Sequence, residues 1–288
     1  MKRWLTGLCC LILCGSTLAH AQDVASKLVV ASVLVTGSIT VAPDGSVKGY
    51  VVDHPEQLSA PVISLIAKNA PKWRFRPVVR DGQPVAAKAR MSLRIVARPA
   101  GDGNYSLGIL GSYFGQPASW QDPTGRTIGS KEREPPRYPR DAASARVSGT
   151  VYLIIRINRA GLVDKDAAEQ VNLDVVASDS QMRHWRNVLA AAAVRASRRW
   201  TFIPPTAGPG AERSSWNVRV PVIFRLSKRG NPKPVEKYGS WHAYVPGPRT
   251  IPDWAGKPRI GSSADAVAAG GVSELSGGLR LTTPLNGA

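Results

Sequence analysis

The motif Trp-x-Phe-x-Pro occurs twice, as Trp73-Arg74-Phe75-Arg76-Pro77 and as Trp200-Thr201-Phe202-Ile203-Pro204. Each copy follows a helical pattern and precedes an alternating strand. Each helix is preceded by a strand, a turn and a second strand. In the first copy Ile39-Thr40-Val41 runs into Pro43-Asp44-Gly45 and then Val47–Val52. In the second, Val151–Ile157 runs into Asn158-Arg159-Ala160-Gly161 and on from Leu162. A glycine after a short polar turn supplies the positive φ that such a connection needs. A chain built this way contains a diverged internal repeat. Each half reads strand–strand–helix–strand, a helix laid on a short antiparallel sheet. The expected fold class is therefore α+β, as two tandem small domains.

The remaining patterning agrees. Met91, Leu93, Ile95 and Ala97 alternate with Lys88, Arg90, Arg94 and Arg98. Trp216, Val218, Val220, Val222, Phe224 and Leu226 alternate with Asn217, Arg219 and Arg225. Period-two alternation predicts half-buried antiparallel strands with one wet face. Met182, Trp185, Leu189, Ala192 and Ala196 form one helical stripe, with Asp179 or Ser180 as the cap. The shorter first helix spans Ser59–Asn69 and turns Leu58, Val62, Leu65 and Ile66 inward. Trp73, Phe75, Trp200 and Phe202 read as core anchors rather than ligand platforms.

Domain limits follow. Residues 22–98 form the first unit and 135–226 the second. Residues 99–134, rich in Gly, Ser and Pro, read as a linker. Residues 227–288 read as an extended or disordered Pro/Gly-rich tail.

The N-terminus has the three-part pattern of a secretory signal, residues 1–21. Lys2 and Arg3 precede an uncharged apolar stretch from Trp4 to Leu18, and Ala19-His20-Ala21 offers a cleavage site. Fifteen residues rise only ~22 Å as a helix, short of a ~30 Å hydrocarbon core. Cleavage and a periplasmic chain are expected; the alternative is an inner-membrane anchor at residues 4–18.

Composition narrows the chemistry. All three cysteines, Cys9, Cys10 and Cys14, lie in that leader, so the rest has no thiol ligand, disulfide or cysteine nucleophile. No His pair has metal-ligand spacing, and there is no P-loop or dinucleotide fingerprint. No catalytic residue, metal or cofactor is assigned, and an enzyme is not expected. The 38 Lys+Arg against 20 Asp+Glu give a net charge of +18, spread over both units. In an exported chain this suits anionic lipid, cell-wall polymer or acidic protein surfaces, or simple solubility, rather than nucleic acid.

The second unit opens with Pro135-Pro136-Arg137-Tyr138-Pro139. It continues through Gly149, the strand Val151–Ile157, Gly161, Ala193-Val194 and Trp200-x-Phe-x-Pro204, and closes with Val218-x-Val220-Pro221-Val222-x-Phe224-x-Leu226. This combination resembles the C-terminal domain of the TonB family of energy transducers; residues 30–97 resemble it more weakly, lacking the Tyr-Pro opening. The resemblance implies a periplasmic domain that binds peptide segments of outer-membrane receptors by strand addition, linked to energised transport. Carried over residue by residue, Pro136, Arg137, Tyr138 and Pro139 would help hold that peptide. The implied partners are a TonB-dependent receptor or another envelope protein, with inner-membrane motor proteins and a second copy of the chain as further ones. The alternative is a non-energised envelope scaffold that uses the tandem modules for protein interaction.

Pro221 adds a physical constraint. A mid-strand proline is tolerated at a sheet edge, where its missing N–H faces out. Trp216–Leu226 is therefore expected to be an edge strand, with Arg219, Ile223 and Arg225 presenting backbone groups to an incoming peptide. That edge could instead be capped by the chain's own tail or by a second copy.

Overall fold

The computed structural model describes residues 29–116, 124–208, 210–226, 237–268 and 270–286. Residues 1–21, expected from the sequence to be a signal, lie outside these residues, and so does the stretch 227–236 that opens the tail. No helix among the described residues is long and apolar enough to cross a membrane.

The first half comprises β1 (Val30–Val41), β2 (Val47–Val52), α1 (Ala60–Asn69), the small hairpin β3 (Val78–Arg80) and β4 (Gln83–Val85), β5 (Ala87–Gly101) and β6 (Asn104–Phe114). The second comprises β7 (Gly129–Glu132), α2 (Arg140–Ser144), β8 (Gly149–Asn158), β9 (Val163–Leu173), α3 (Asp179–Ser197), β10 (Thr201–Ile203) and β11 (Ser215–Phe224). β12 (His242–Tyr244) and β13 (Ser273–Glu274) come from the C-terminal segment.

Two larger antiparallel sheets result, beside the two-stranded pairs β3–β4 and β7–β10. The first runs β12-β1-β5-β6, with β2 also on β1; the second runs β13-β11-β8-β9. Each carries one helix and one core. Val33, Val35, Ile39, Leu93 and Ile95 pack with Val62 and Ile66 of α1 and with Trp73 and Phe75. Val151, Leu153, Ile155, Val218, Val220 and Phe224 pack with Met182 and Leu189 of α3 and with Trp200 and Phe202. Ser178, one residue before the expected cap, closes a capping box with Gln181.

The Trp-x-Phe-x-Pro motif performs the same task in both halves. The Phe75 N–H donates to the Gly45 carbonyl at 2.8 Å, and the Phe202 N–H donates to the Gly161 carbonyl at 2.8 Å. Gly45 and Gly161 sit at φ +86° and +77°, where an added Cβ would run into the Phe75 and Phe202 carbonyl oxygens. The turn glycine thus lets the strand after each Trp close over the first hairpin.

Two expectations fail here. The stretch 99–134 is not a linker. β6 pairs with β5 from Met91↔Phe114 to Gly101↔Asn104, and β7 pairs with β10. Two glycines, Gly108 and Gly111, and two register shifts break the alternation of β6, so its sequence lacks a sustained period. Nor is the tail extended and unattached. β12 pairs with Val30–Ser32 of β1, and Val245 bridges Leu173 at the end of β9. Trp254 stacks on the Arg156 guanidinium, 5.2 Å from its ring centroid. The Gly261 carbonyl accepts from Ser112 of β6 at 2.7 Å. Leu281 and Leu285 end inside the first core, where the Leu285 carbonyl accepts from Trp73 Nε1 at 2.9 Å. The tail satisfies its backbone through single bridges and side chains, which leave no periodic trace in sequence.

The first half also holds a titrating contact. Asp53 accepts from Thr36 Oγ1 at 2.7 Å and pairs with Arg90, and the Arg90 hydrogen bond, against some desolvation, holds its carboxyl below the ordinary 3.8. A carboxylate with a depressed folded-state pKa adds stability above its unfolded value, and that stability is lost as pH falls through the folded one. Asp53→Asn should cost about 1 kcal/mol at neutral pH, and the cost should vanish below the ordinary carboxylate range. Urea unfolding at both pH values checks this; an equal cost at acid pH would show that charge is not the cause.

Candidate functional site

β11 is the strand on which the candidate site is built. Its inward side chains, Trp216, Val218, Val220, Val222 and Phe224, lie in the core as the alternation requires. Its pairing runs from Ser215↔Asn158 to Phe224↔Gly149, with Pro221 opposite Tyr152. Pro221 has no N–H, so odd-numbered positions 217, 219, 221 and 223 turn their backbone groups away from β8.

The strand is not the open edge expected from residues 216–226. β13 lies on its far side, with Val218↔Glu274 and Arg219↔Ser273, and the Leu275 N–H donates to the Asn217 carbonyl at 2.9 Å. The chain's own tail therefore claims the outward groups of Asn217 and Arg219. The expectation for Arg219 as an edge position is corrected on a second count too. Its side chain is only 5% exposed and lies in a buried charge cluster. Glu169 Oε2 meets Arg219 Nε at 2.5 Å, and Glu169 Oε1 meets Arg219 Nη2 at 2.8 Å. Arg249 Nε donates to the same Oε1 at 2.8 Å. The alternation placed Arg219 on the face away from the helix. It could not reveal that residues 249–262 roof that face.

Beyond Arg219 no further strand pairs with the outer edge of β11 among the described residues, although Pro221, Val222 and Phe224 are themselves buried. Among the described residues nothing pairs with the outward side of Pro221 or Ile223, and the Ile223 side chain is 37% exposed. This end adjoins the Tyr-Pro segment. Tyr138 packs edge-on against Phe224 at 5.5 Å between centroids, and its hydroxyl donates to the Val147 carbonyl at 2.6 Å. Burial raises the Tyr138 pKa, so the ring stays neutral. Arg137, Tyr138 and Pro139 also line a groove against Val188, Ala192 and Arg195 of α3. Trp200 Nε1 donates to the Glu134 carbonyl at 2.8 Å and so fixes where that segment enters.

The structure thus brings Tyr138 and Pro139 to the end of β11 that carries Phe224, next to Ile223 and Arg225, and sets Arg219 apart. Trp73, Phe75, Trp200 and Phe202 are all buried. Sequence reasoning did not find Glu169 or Arg249: Glu169 sits at a register shift of β9 that breaks the alternation, and Arg249 lies in an irregular stretch. No group of three or more His, Cys, Asp or Glu residues that could hold a metal occurs among the described residues.

Comparisons with known proteins point to one family. A family model described as Gram-negative bacterial TonB protein C-terminal matches residues 134–226. The Protein TonB sequences of two Xanthomonas campestris pv. campestris strains, B100 and ATCC 33913, are 37% identical over 100 residues, which cover 35% of this chain. The match spans 39% of the length of those relatives. The solution NMR structure of the Pseudomonas aeruginosa TonB CTD aligns at 23% identity over 39% of this chain and 97% of that one, with a TM-score of 0.25, too low to support any argument. The family match covers the stretch from the Tyr-Pro opening to the end of β11, and residues 134–226 of this chain are a TonB C-terminal domain.

Proposed function

We propose that this is a periplasmic, envelope-associated protein of TonB type. It binds peptide segments of outer-membrane receptors by strand addition along β11, as the receptor-facing end of energised transport. The observation that carries the reading is the partial cover of β11. β13 pairs with two residues of the strand, while the stretch from Pro221 to Phe224 stays open beside Tyr138. Backbone pairing gives a visiting strand affinity with little demand on sequence. The open stretch offers the Pro221 carbonyl and both Ile223 groups. To gain the rest of the ladder, a peptide must displace β13. Residues 22–98 and 135–226 are read as tandem units on the matched Gly45–Phe75 and Gly161–Phe202 contacts.

Ile223→Pro tests the edge directly. It removes one outward N–H and no ladder bond to β8, so near-UV circular dichroism should not change. Affinity for a receptor-derived peptide should fall about tenfold, since a lost backbone bond whose partner stays desolvated costs about 1–3 kcal/mol. In the wild-type chain the peptide should shift the amide signals of Val220, Val222, Ile223 and Phe224, and those of Ser273 and Glu274 as β13 leaves. Equal affinity in the variant would sink the edge model.

The non-energised scaffold has one observation in its favour. The strand that corresponds to β11 in the first half, β5, is already paired with β6 along most of its length. That half offers no open edge there; among the described residues the outer strands of its sheet are β2, β6 and β12. Retained transport in cells that lack the chain would favour the scaffold.

A further inference from the structure

We infer that the cavity between β6, the outer face of the second sheet and the C-terminal segment is a binding site for a compact phosphomonoester or free phosphate. The cavity measures about 230 Å³. It is lined by five cationic side chains, Arg219, Arg249, Lys257, Arg259 and Arg280, against a single acidic one, Glu274.

The charges can be followed one by one. Arg219 and Arg249 share one carboxylate, Glu169, which lies behind the wall. Glu274 is already engaged by Arg213 at 2.5 Å and by Ser276 Oγ at 2.5 Å. The hydrogen bonds of Arg259 go to carbonyls: Nη1 donates to the Gly277 carbonyl at 2.6 Å, and Nη2 donates to the Ser276 carbonyl, while Glu274 acts on it through charge alone. Lys257 and Arg280 make no side-chain hydrogen bond or ion pair among the described residues. The cavity thus keeps a positive excess for which the chain supplies no counter-charge. Desolvation, and then Arg280, lower the Arg259 pKa, so the bare arrangement carries a cost that an anion would relieve.

Size and lining select the ligand. The volume falls below the roughly 300–1,000 Å³ of sites that take drug-sized molecules. Guanidinium groups match phosphate geometry, and the two carbonyls leave Arg259 with donors to spare. Ile154, Ile251 and Leu279 line the remainder, which suits a short carbon skeleton attached to the phosphate. The site lies on the roofed face of the second sheet and is separate from the open end of β11.

The test is thermal unfolding and calorimetric titration of the full chain with inorganic phosphate and with glycerol phosphate, ionic strength being held constant with sodium chloride. Wild-type protein should show a saturable rise in Tm, as expected for a ligand that binds the native state alone. Lys257→Gln/Arg280→Gln removes two cations that support nothing in the fold and should weaken binding at least about tenfold. Arg183→Gln, on the exposed face of α3, should change nothing. No saturable response, or an equal response in the double variant, overturns the proposal. So does binding to phosphatidylglycerol vesicles that free phosphate does not compete away, because the charge would then serve a lipid surface.

Discussion

Replacing Glu169 with Gln should destabilise the second unit by about 3–5 kcal/mol, the cost of removing one partner from a buried ion pair. That is a large part of the 5–15 kcal/mol typical of a folded domain. The Glu169 side chain is fully buried and Arg219 is 5% exposed, so neither finds water when the other is lost. Arg249, at 27% exposure, can partly rehydrate, which keeps the cost within this range. The amide variant keeps the shape and one acceptor but cannot neutralise two guanidinium groups. Urea unfolding read at the β8–β11 core measures the loss, and a change under 1 kcal/mol would show that the cluster is solvated in solution. Replacing all three residues with Met, Leu and Met should recover most of the stability, because buried ion clusters seldom beat an apolar core of equal volume. The cluster is then retained for what it specifies. It ties Arg219 of β11 and Arg249 of the tail to one carboxylate on β9, and so sets where the tail crosses the sheet. In the apolar triple variant, hydrogen exchange at Ser273 should speed up although global stability is kept.

The sequence was informative wherever structure repeats locally. The turns at Gly45 and Gly161, the stripe of Met182 and Leu189, and the inward set of β11 each obey one period, and each was placed correctly. It was uninformative wherever structure depends on a distant partner. β6 hides behind Gly108, Gly111 and a register shift at Arg94/Ile95, and its cover comes from Gly261 and Asn286, far along the chain. The face that bears Arg219 reads as wet because alternation separates two faces without saying what covers the second. Pro221 announced an edge, and β13 takes only part of it. Proline forbids one donor and says nothing of neighbours two residues away. Composition misled most in the tail, where Pro, Gly and Ser meant an irregular path rather than a loose one.

The tail provides the second large effect. Leu285→Ala should cost about 2–5 kcal/mol, as expected for a leucine truncated in a packed core. A tail merely draped over the surface would lose nothing. Leu285 is 5% exposed in the first core, and its carbonyl takes the Trp73 indole N–H. Urea unfolding of the first unit should show the loss, and a change within 0.5 kcal/mol, the range of ordinary surface positions, would show that the tail end is undocked. The same variant probes the peptide edge. β13 holds β11 by two residue pairs, too few to persist on their own, and stays in place because both flanks are fixed. On one side Arg249 is tied to Glu169, and on the other Leu281 and Leu285 are buried. Such a short strand competes through its effective concentration, which falls as the free length of its tether grows. Leu281→Ala/Leu285→Ala frees one flank, lowers the occupancy of β13 and should tighten peptide binding at β11 several-fold while weakening the first core. The two effects have opposite signs, so general unfolding cannot imitate them. Peptide affinity that stays constant while the first core loses stability would mean that β13 does not compete for the strand.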